Sequence, residues 1–202
     1  MTVWGWAYDV NVPFAHDTAI SLRAAVELVN SGEEPDTLTT VADVDSWYAE
    51  HRYTGRRDGN EAELAALRRL RPVLRELLTA DRDRAAQLVN AMLAEAGALP
   101  QLMRHDGLDW HIHAVPADAP LDRRVVVESA MAMVDVIRAD ELSRLSVCAD
   151  DVCGGLVLDL SRNRSRRFCS TTCTNRNAVA AYRARARGDA GPGAGPDQPA
   201  RR

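Results

Sequence analysis

CADDVCGGLVLDLSRNRSRRFCSTTC, residues 148–173, holds all four cysteines of this 202-residue chain. They form two pairs: four residues separate Cys148 from Cys153, and three separate Cys169 from Cys173. Cysteines placed at random would not gather in so short a stretch. Such clustering is typical either of a disulfide framework or of a metal site with four thiolate ligands.

The N-terminal sequence favours the metal site over the disulfides. Residues 1–9 lack the basic and apolar segments of a secretory signal, and no run approaches about eighteen apolar residues, so we expect a cytoplasmic protein that does not enter a membrane. Thiols stay reduced there, and paired cysteines more often hold a metal or do redox chemistry. The C-x-x-C spacing of a redox site is absent. We therefore predict one structural Zn²⁺ bound by Cys148, Cys153, Cys169 and Cys173, with an iron–sulfur or redox site as the alternative.

The residues around the cysteines predict how this site is built. Residues 149–152 form a short polar turn that brings the first two thiols towards one ion. Alternating leucines over 156–160 then predict a strand, and residues 166–168 are expected to return as a second strand. Ser170 is a good N-cap, so the last cysteine falls in the first turn of a helix. A knuckle, a hairpin and a helix in this order predict a treble-clef-like zinc finger.

Charge is distributed unevenly along the chain. Residues 161–187 contain eight arginines and no acid. The whole chain has a formal net charge of −4, and residues 188–202 balance two aspartates against two arginines, so residues 1–160 must carry −12. A basic segment therefore follows an acidic one. The chain has no lysine, so the choice of arginine alone indicates nothing special.

We expect the basic segment to contact nucleic acid. In a helix, Arg176 and Arg183 share one face while Val179 and Tyr182 lie on another, so one side can pack while the other presents guanidinium groups to phosphates. Alternatively, the arginines offset the negative charge of a four-thiolate zinc centre, or contact the acidic part of the chain. The residues that we predict to contact DNA are Arg162, Arg164, Arg166, Arg167, Asn175, Arg176, Arg183, Arg185 and Arg187.

The first 145 residues predict a mainly helical domain. Apolar residues recur at helical spacing in five segments, at about residues 20–29, 41–48, 64–78, 85–96 and 122–145. Pro72 is expected to interrupt or kink the third segment. The fifth is apolar on most sides, so we expect it at the centre of a helical bundle.

A short β signal interrupts the helical pattern. Asp106–Gly107 is a two-residue hairpin turn, after which Trp110 and Ile112 alternate with His111 and His113. Histidines at this spacing are more often half-exposed surface residues than ligands of a second metal. Together with Trp110, they nevertheless form a candidate ligand-binding site.

The cysteine-rich stretch resembles a known family. From Cys148 through DLSRNRSRRFCS (residues 159–170) to CTNR (residues 173–176), it is similar to the CGNR zinc finger, which is found mainly in bacteria. Thr174 replaces the glycine that gives the family its name. If that glycine requires positive φ, threonine cannot substitute freely; if the position is simply helical, the cost is a few tenths of a kcal/mol. Asn175 could read adenine, although capping of a backbone group is the interpretation we favour.

A second resemblance covers the helical region. AVELVNS (residues 25–31) and TVADVDSW (residues 40–47) resemble the ABATE domain, which usually precedes that zinc finger. The two resemblances together span nearly residues 10–187. They imply a stress-responsive transcription regulator rather than an established enzyme.

The predicted fold is mainly α, with three parts. Residues 1–145 form a helical ABATE-like domain with a small β-hairpin, residues 146–187 form the CGNR-type zinc finger, and the glycine- and proline-rich residues 188–202 are disordered.

Three functions stay open at this point. The first is a DNA-binding regulator whose helical domain senses a small-molecule effector or forms a homodimer. The second is a protein-interaction module that docks its basic finger on an acidic partner. The third is an enzyme that uses His111 and His113. We expect no enzyme, because no G-x-S-x-G, phosphate-loop or H-E-x-x-H motif occurs and four cysteine ligands leave zinc no open position.

Overall fold

The computed structural model describes residues 14–104 and 110–188, the last three by their backbone alone. Its fold is mainly α with two small antiparallel hairpins, as predicted. The helices in these ranges are α1 (His16–Asn30), α2 (Val41–Glu50), α3 (Glu61–Thr79), α4 (Arg82–Glu95), α5 (Leu121–Arg138) and α6 (Thr171–Gly188). The strands are β1 (Gln101–Met103), β2 (His111–His113), β3 (Leu145–Val147) and β4 (Leu156–Leu158), and a 3₁₀ turn covers Leu142–Arg144.

Some predicted features cannot be compared with this structure. The turn at Asp106–Gly107, the tail over 189–202 and the side chain of Arg187 lie outside the described residues. Among the helices within 14–104 and 110–188, none has the length and apolar character needed to cross a membrane.

Side-chain caps fix where three of the helices begin. Thr40 and Asp43 form a reciprocal capping box at the start of α2. Asn60 and Asp81 accept hydrogen bonds from backbone amides in the first turns of α3 and α4. Pro72 does not interrupt α3, which continues through it to Thr79.

Helix α5 lies at the centre of the bundle, as its apolar character predicts. It packs against α1, α3 and α4. Large side chains that are fully buried in this core are Leu22, Leu28, Leu67, Leu74, Leu77, Val125 and Met133.

The predicted fifth helix was too long, because α5 ends at Arg138 rather than near residue 145. Asp140 has φ of 57°, in the left-handed region that aspartate tolerates better than most residues, and this conformation ends the helix. The chain then forms the 3₁₀ turn and enters β3, where Leu145 and Val147 alternate with Ser146.

The hairpin of the zinc-finger region also differs from the prediction. Strand β4 pairs with β3, which places the segment between them at the tip of the hairpin. Residues 166–168 do not form the predicted strand. Instead of joining a backbone ladder, the amide of Arg166 donates to the Asp159 carboxylate at 2.7 Å, so a side chain takes the place of a strand partner.

The β3–β4 hairpin is part of the bundle's core. Leu156 and Leu158 are 2% and 7% exposed and belong to the same buried cluster as the leucines of α1. The side chain of Asn30, at the end of α1, donates to the Leu156 carbonyl at 2.8 Å and accepts from its amide at 2.6 Å. The end of α1 therefore serves as a partner for the edge of β4.

Candidate metal centre and basic surface

The hairpin and helix α6 bring the four cysteines together. Cys148 and Cys153 lie at the tip of the β3–β4 hairpin, Cys169 precedes α6, and Cys173 lies in its first turn, where its amide donates to the Ser170 hydroxyl. All four Sγ atoms lie within 4.8 Å of one another. None of these cysteines is in a disulfide. Of the two explanations for the clustering, the structure therefore supports the metal site.

The distances between the sulfur atoms fit zinc. Cys169 Sγ lies 3.5 Å from Cys153 Sγ and 3.8 Å from Cys173 Sγ. Tetrahedral zinc with bonds of about 2.3 Å requires sulfur atoms about 3.8 Å apart. The four cysteines are thus positioned to bind one metal ion, in agreement with one structural Zn²⁺. Four protein ligands complete the coordination of the ion. The centre therefore has a structural role and leaves no position at which a reacting water could bind.

Backbone amides support the sulfur ligands. The amide of Cys169 donates to Cys148 Sγ and the amide of Gly155 donates to Cys153 Sγ, both at 3.4 Å. Burial, and then the three neighbouring thiols, raise the pKa of Cys169 well above its usual range. A bound divalent cation reverses this effect, because coordinated thiols lose their protons. The donor set is therefore one that a cation stabilises.

Asp150 joins the hairpin tip to α6, a role that the sequence did not reveal. Its carboxylate is 3% exposed and accepts from Arg176 Nη1 at 3.1 Å and from Asn177 Nδ2 at 2.9 Å. Asn177 also donates to the Cys173 carbonyl. Two side chains of α6 are thereby fixed to the knuckle that carries the first cysteine pair. Only the polar character of residues 149–152 hinted at this role.

Asp159 organises the loop that leads to Cys169. It is 5% exposed and accepts from both the amide and the hydroxyl of Ser161 and from the amide of Arg166. Although burial raises the pKa of this carboxyl, the hydrogen bonds lower it below its usual range. Asp159 therefore acts as an anionic anchor for the loop.

Three of the arginines predicted to contact DNA have partners within the protein. Arg164 pairs with Glu141 at 2.8 Å, and Arg176 pairs with the buried Asp150. Arg166 donates to the carbonyls of Phe168 and Cys169. Arg166 and Arg176 make contacts within the finger, and Arg164 joins the finger to Glu141 of the helical region.

Other predicted contact residues are open to solvent. Arg162, Arg183 and Arg185 are exposed and make no side-chain hydrogen bond or ion pair within the described part of the chain. Arg167 is exposed as well, with its guanidinium 5.8 Å from the centre of the Phe168 ring. The structure thus divides the predicted set into internal anchors and solvent-facing cations.

The residues of the CTNR motif lie at the start of α6. Thr174 is helical, and its hydroxyl donates to the Ser170 carbonyl at 3.0 Å. The position thus requires no positive φ. Asn175 is exposed, and its side chain makes no hydrogen bond within the described residues, so the capping role that we favoured for it is not seen here. Asn177 forms polar contacts of that kind instead.

The three residues predicted to bind a small-molecule ligand also fall into two groups. His111 and His113 are half-buried, and their Nε2 atoms lie 3.0 Å apart at the wall of a cavity between β2, α1 and α5. Trp110 is 64% exposed and does not line that cavity. The structure therefore retains the histidines as candidates and separates the tryptophan from them.

Comparisons with known proteins agree with both resemblances. The ABATE family model, described as "Putative stress-induced transcription regulator", matches residues 22–140, which is more than half of the chain. The model of the CGNR zinc finger matches residues 144–186. Neither description is that of an enzyme. A search of the curated proteins found no match.

Proposed function

Because this chain belongs to the ABATE family and carries a CGNR zinc finger, we propose that it is a zinc-dependent, DNA-binding transcription regulator of a bacterium. It would act in the cytoplasm, where the bacterial chromosome lies. The finger holds DNA, and the helical domain serves as the sensor or the dimerisation unit. We treat residues 1–145 and 146–187 as the parts that divide these tasks.

The observation that carries this proposal is the exposure of α6 beyond Asn177. Every residue from Ala178 to Arg185 is exposed, so this part of the helix buries no side chain against the described chain. At 1.5 Å per residue, residues 178–188 span about 16 Å along the helix axis. The major groove of DNA is about 12 Å wide and admits an α-helix. A projecting helix of this kind is a suitable shape for groove binding.

Its charge suits the same partner. Arg183 and Arg185 present free guanidinium groups along α6, and Arg162 adds another on the loop before it. Residues 161–187 contain no acidic residue that would repel phosphate. Guanidinium groups bind phosphate oxygens in pairs and release condensed counterions, so binding should weaken steeply with salt.

The metal would set the direction of α6. Zinc ties the first turn of the helix to the β3–β4 hairpin through Cys173, and the Asp150 contacts with Arg176 and Asn177 add a second tie. With these ties, the arginines beyond Asn177 are held on a helix of fixed orientation. A single finger makes few base contacts, so we expect two copies to bind paired half-sites.

Selection of binding sites from random duplex DNA tests the proposal. The zinc-loaded, full-length protein should enrich a motif, and removal of zinc should abolish the enrichment. Salt-sensitive binding without enrichment would mean that only the DNA backbone is contacted. No binding at all would contradict the proposal.

A pair of variants tests the surface itself. Arg183→Gln with Arg185→Gln should leave zinc bound, weaken DNA binding and flatten the slope of log K against log salt by about 1.8. The matched control is Arg69→Gln with Arg84→Gln, which removes two charges from α3 and α4. If the two double variants weakened DNA binding equally, α6 would not be part of the DNA interface.

A protein partner is the second candidate, and one observation favours it. Val179 and Tyr182 are 47% and 68% exposed on the same projecting helix. An acidic protein with an apolar groove would bind the same helix. Such a partner predicts no preference among DNA sequences in the selection.

A further inference from the structure

A cavity of about 260 Å³ lies in the helical region, away from the metal centre. Its walls come from α1, from the segment after α2, from β2 and from α5. The apolar part of the lining includes Ile20, Ala114, Val127, Met131 and Ala132. Pockets for drug-sized ligands usually measure about 300–1,000 Å³, so this one suits a smaller molecule with an apolar body.

Three carboxyl groups line this cavity. Asp17 on α1 accepts a long hydrogen bond from the amide of Ile112, and Asp135 on α5 accepts from the Thr18 hydroxyl at 2.6 Å. Glu128, also on α5, is 23% accessible, and its oxygen lies 4.0 Å from His113 Nδ1. The polar lining is thus rich in hydrogen-bond acceptors.

The three carboxyl groups outnumber the two arginines of the lining, Arg52 and Arg138, which are both exposed. Arg124 is buried and donates to the carbonyls of Thr54, Arg56 and Ala119. Arg138 lies at the rim with its side chain exposed. The other ionisable groups in the lining are Arg52 and Tyr53, His51, which bonds to Glu27, and the pair His111 and His113.

Burial is the main reason why Glu128 favours its protonated form. Burial, and to a smaller extent Asp17, raise the pKa of Glu128 to about 7, although Arg124 and Tyr53 oppose them. A cation in the cavity would favour the ionised carboxylate, whereas an anion would face three carboxyl groups. A metal ion fits less well. His113 directs Nε2 towards His111 and Nδ1 towards Glu128, so His111, His113 and Glu128 cannot all coordinate one ion.

From this lining we propose that the cavity binds a small organic amine, with its ammonium group on Glu128 and its apolar body against α5. No covalent step is involved. The proposal concerns the helical region alone, and it does not depend on DNA binding by the finger.

Calorimetry with three probes of matched shape tests this site. The zinc-loaded, full-length protein is titrated with phenethylamine, 2-phenylethanol and 3-phenylpropionate in the absence of DNA. Phenethylamine should bind at least about tenfold more tightly than the alcohol, and the acid should not bind. Because amine binding ionises Glu128, its affinity should rise as the pH rises through about 7.

Two variants and a control separate the site from non-specific binding. Glu128→Gln should weaken the binding of phenethylamine by at least about tenfold and remove its pH dependence. The binding of 2-phenylethanol should change little. Ala132→Leu should exclude both probes by filling the cavity, provided that its thermal midpoint shows a folded protein. Glu76→Gln should change nothing, because Glu76 is an exposed carboxylate on α3 that pairs with Arg84 and does not line the cavity.

Several results would overturn the amine proposal. They are no binding of phenethylamine at millimolar concentration, equal affinity for amine and alcohol, or full amine affinity in Glu128→Gln. None of them affects the DNA proposal, which is tested with different variants of α6.

Discussion

Thr174 shows how a single position can depart from a family motif without loss of the site. Its backbone is helical, its hydroxyl bonds to the Ser170 carbonyl, and its side chain is exposed. We therefore expect Thr174→Gly to lower the free energy of unfolding by only a few tenths of a kcal/mol, because glycine costs slightly more than threonine in a helix. Zinc affinity, measured by competition with a chromogenic chelator, should not change. A large gain in DNA affinity would show that glycine there allows a close backbone approach.

Glu128 gives the stability of the protein a pH dependence of its own. Its pKa in the folded protein is about 7, above the ordinary value of 4.5, so the folded protein retains a proton that the unfolded chain releases. The associated stability is complete below about pH 4.5 and is lost as the pH rises through about 7. Between about pH 6 and about pH 8.5, the wild-type protein should lose about 1 kcal/mol more than Glu128→Gln. Urea unfolding of both proteins measures this difference, and equal losses would contradict the pKa shift.

At the residue scale, the sequence predicts ligands better than it predicts their supports. The four cysteines could be found because their type and spacing limit their chemistry. Asp150 and Asn177 could not be found, because a buried aspartate looks like any polar turn residue until its partners are known. Likewise, a count of arginines does not separate Arg176, which pairs with Asp150, from Arg183, which faces solvent.

At the scale of elements, helices could be predicted closely and strand partners could not. Helical periodicity and caps are local signals, and α1 to α4 begin and end near the expected residues. Strand pairing is not local. The pattern around Leu156 predicted a strand but assigned its partner to residues 166–168, whereas β3 is the strand that pairs with it.

The β1–β2 hairpin shows the same limit. The structure pairs β2 with β1 and places His111 opposite Met103. No pattern within residues 110–113 identified β1 as the partner. Trp110 is 64% exposed, whereas His111, Ile112 and His113 line the cavity.

The two hydrogen bonds between Asn30 of α1 and Leu156 of β4 support a prediction at the scale of elements. Asn30→Ala removes the partners of both backbone groups of Leu156, which is buried. Unsatisfied buried groups cost about 1–3 kcal/mol each, so the free energy of unfolding should fall by about 2 kcal/mol or more. The control is Asn60→Ala, which removes an N-cap of α3 and should cost about 1 kcal/mol.

Zinc affinity distinguishes these two variants. Asn30→Ala should weaken zinc binding, because Leu156 closely follows the turn that carries Cys148 and Cys153. Asn60→Ala should leave zinc binding unchanged. If both variants bind zinc as tightly as the wild-type protein, the Asn30 bond does not support the metal centre.

At the scale of the whole molecule, the charge composition predicts two separate parts of the chain, but contacts between side chains and backbone connect these parts. The acidic helical region and the basic finger differ so strongly in charge that the sequence predicts a boundary near residue 145. Across that boundary, Arg75 donates to the Gly154 carbonyl and to Glu33, whose carboxylate accepts from the Gly154 amide. Contacts between residues so far apart leave no local pattern, and this is why the sequence could not predict them.

The packing of β4 therefore predicts one folding unit rather than two. Cys169→Ser should lose zinc and release the hairpin, and burying Leu156 and Leu158 contributes about 1.5–3 kcal/mol each to the core. At about 2–4 °C per kcal/mol, helical circular dichroism should melt about 10 °C or more below the wild-type midpoint, in one transition. Arg183→Gln with Arg185→Gln serves as the control, because these exposed residues of α6 should leave the midpoint unchanged. A helical transition at the wild-type midpoint in Cys169→Ser would show instead that the bundle folds independently of the finger.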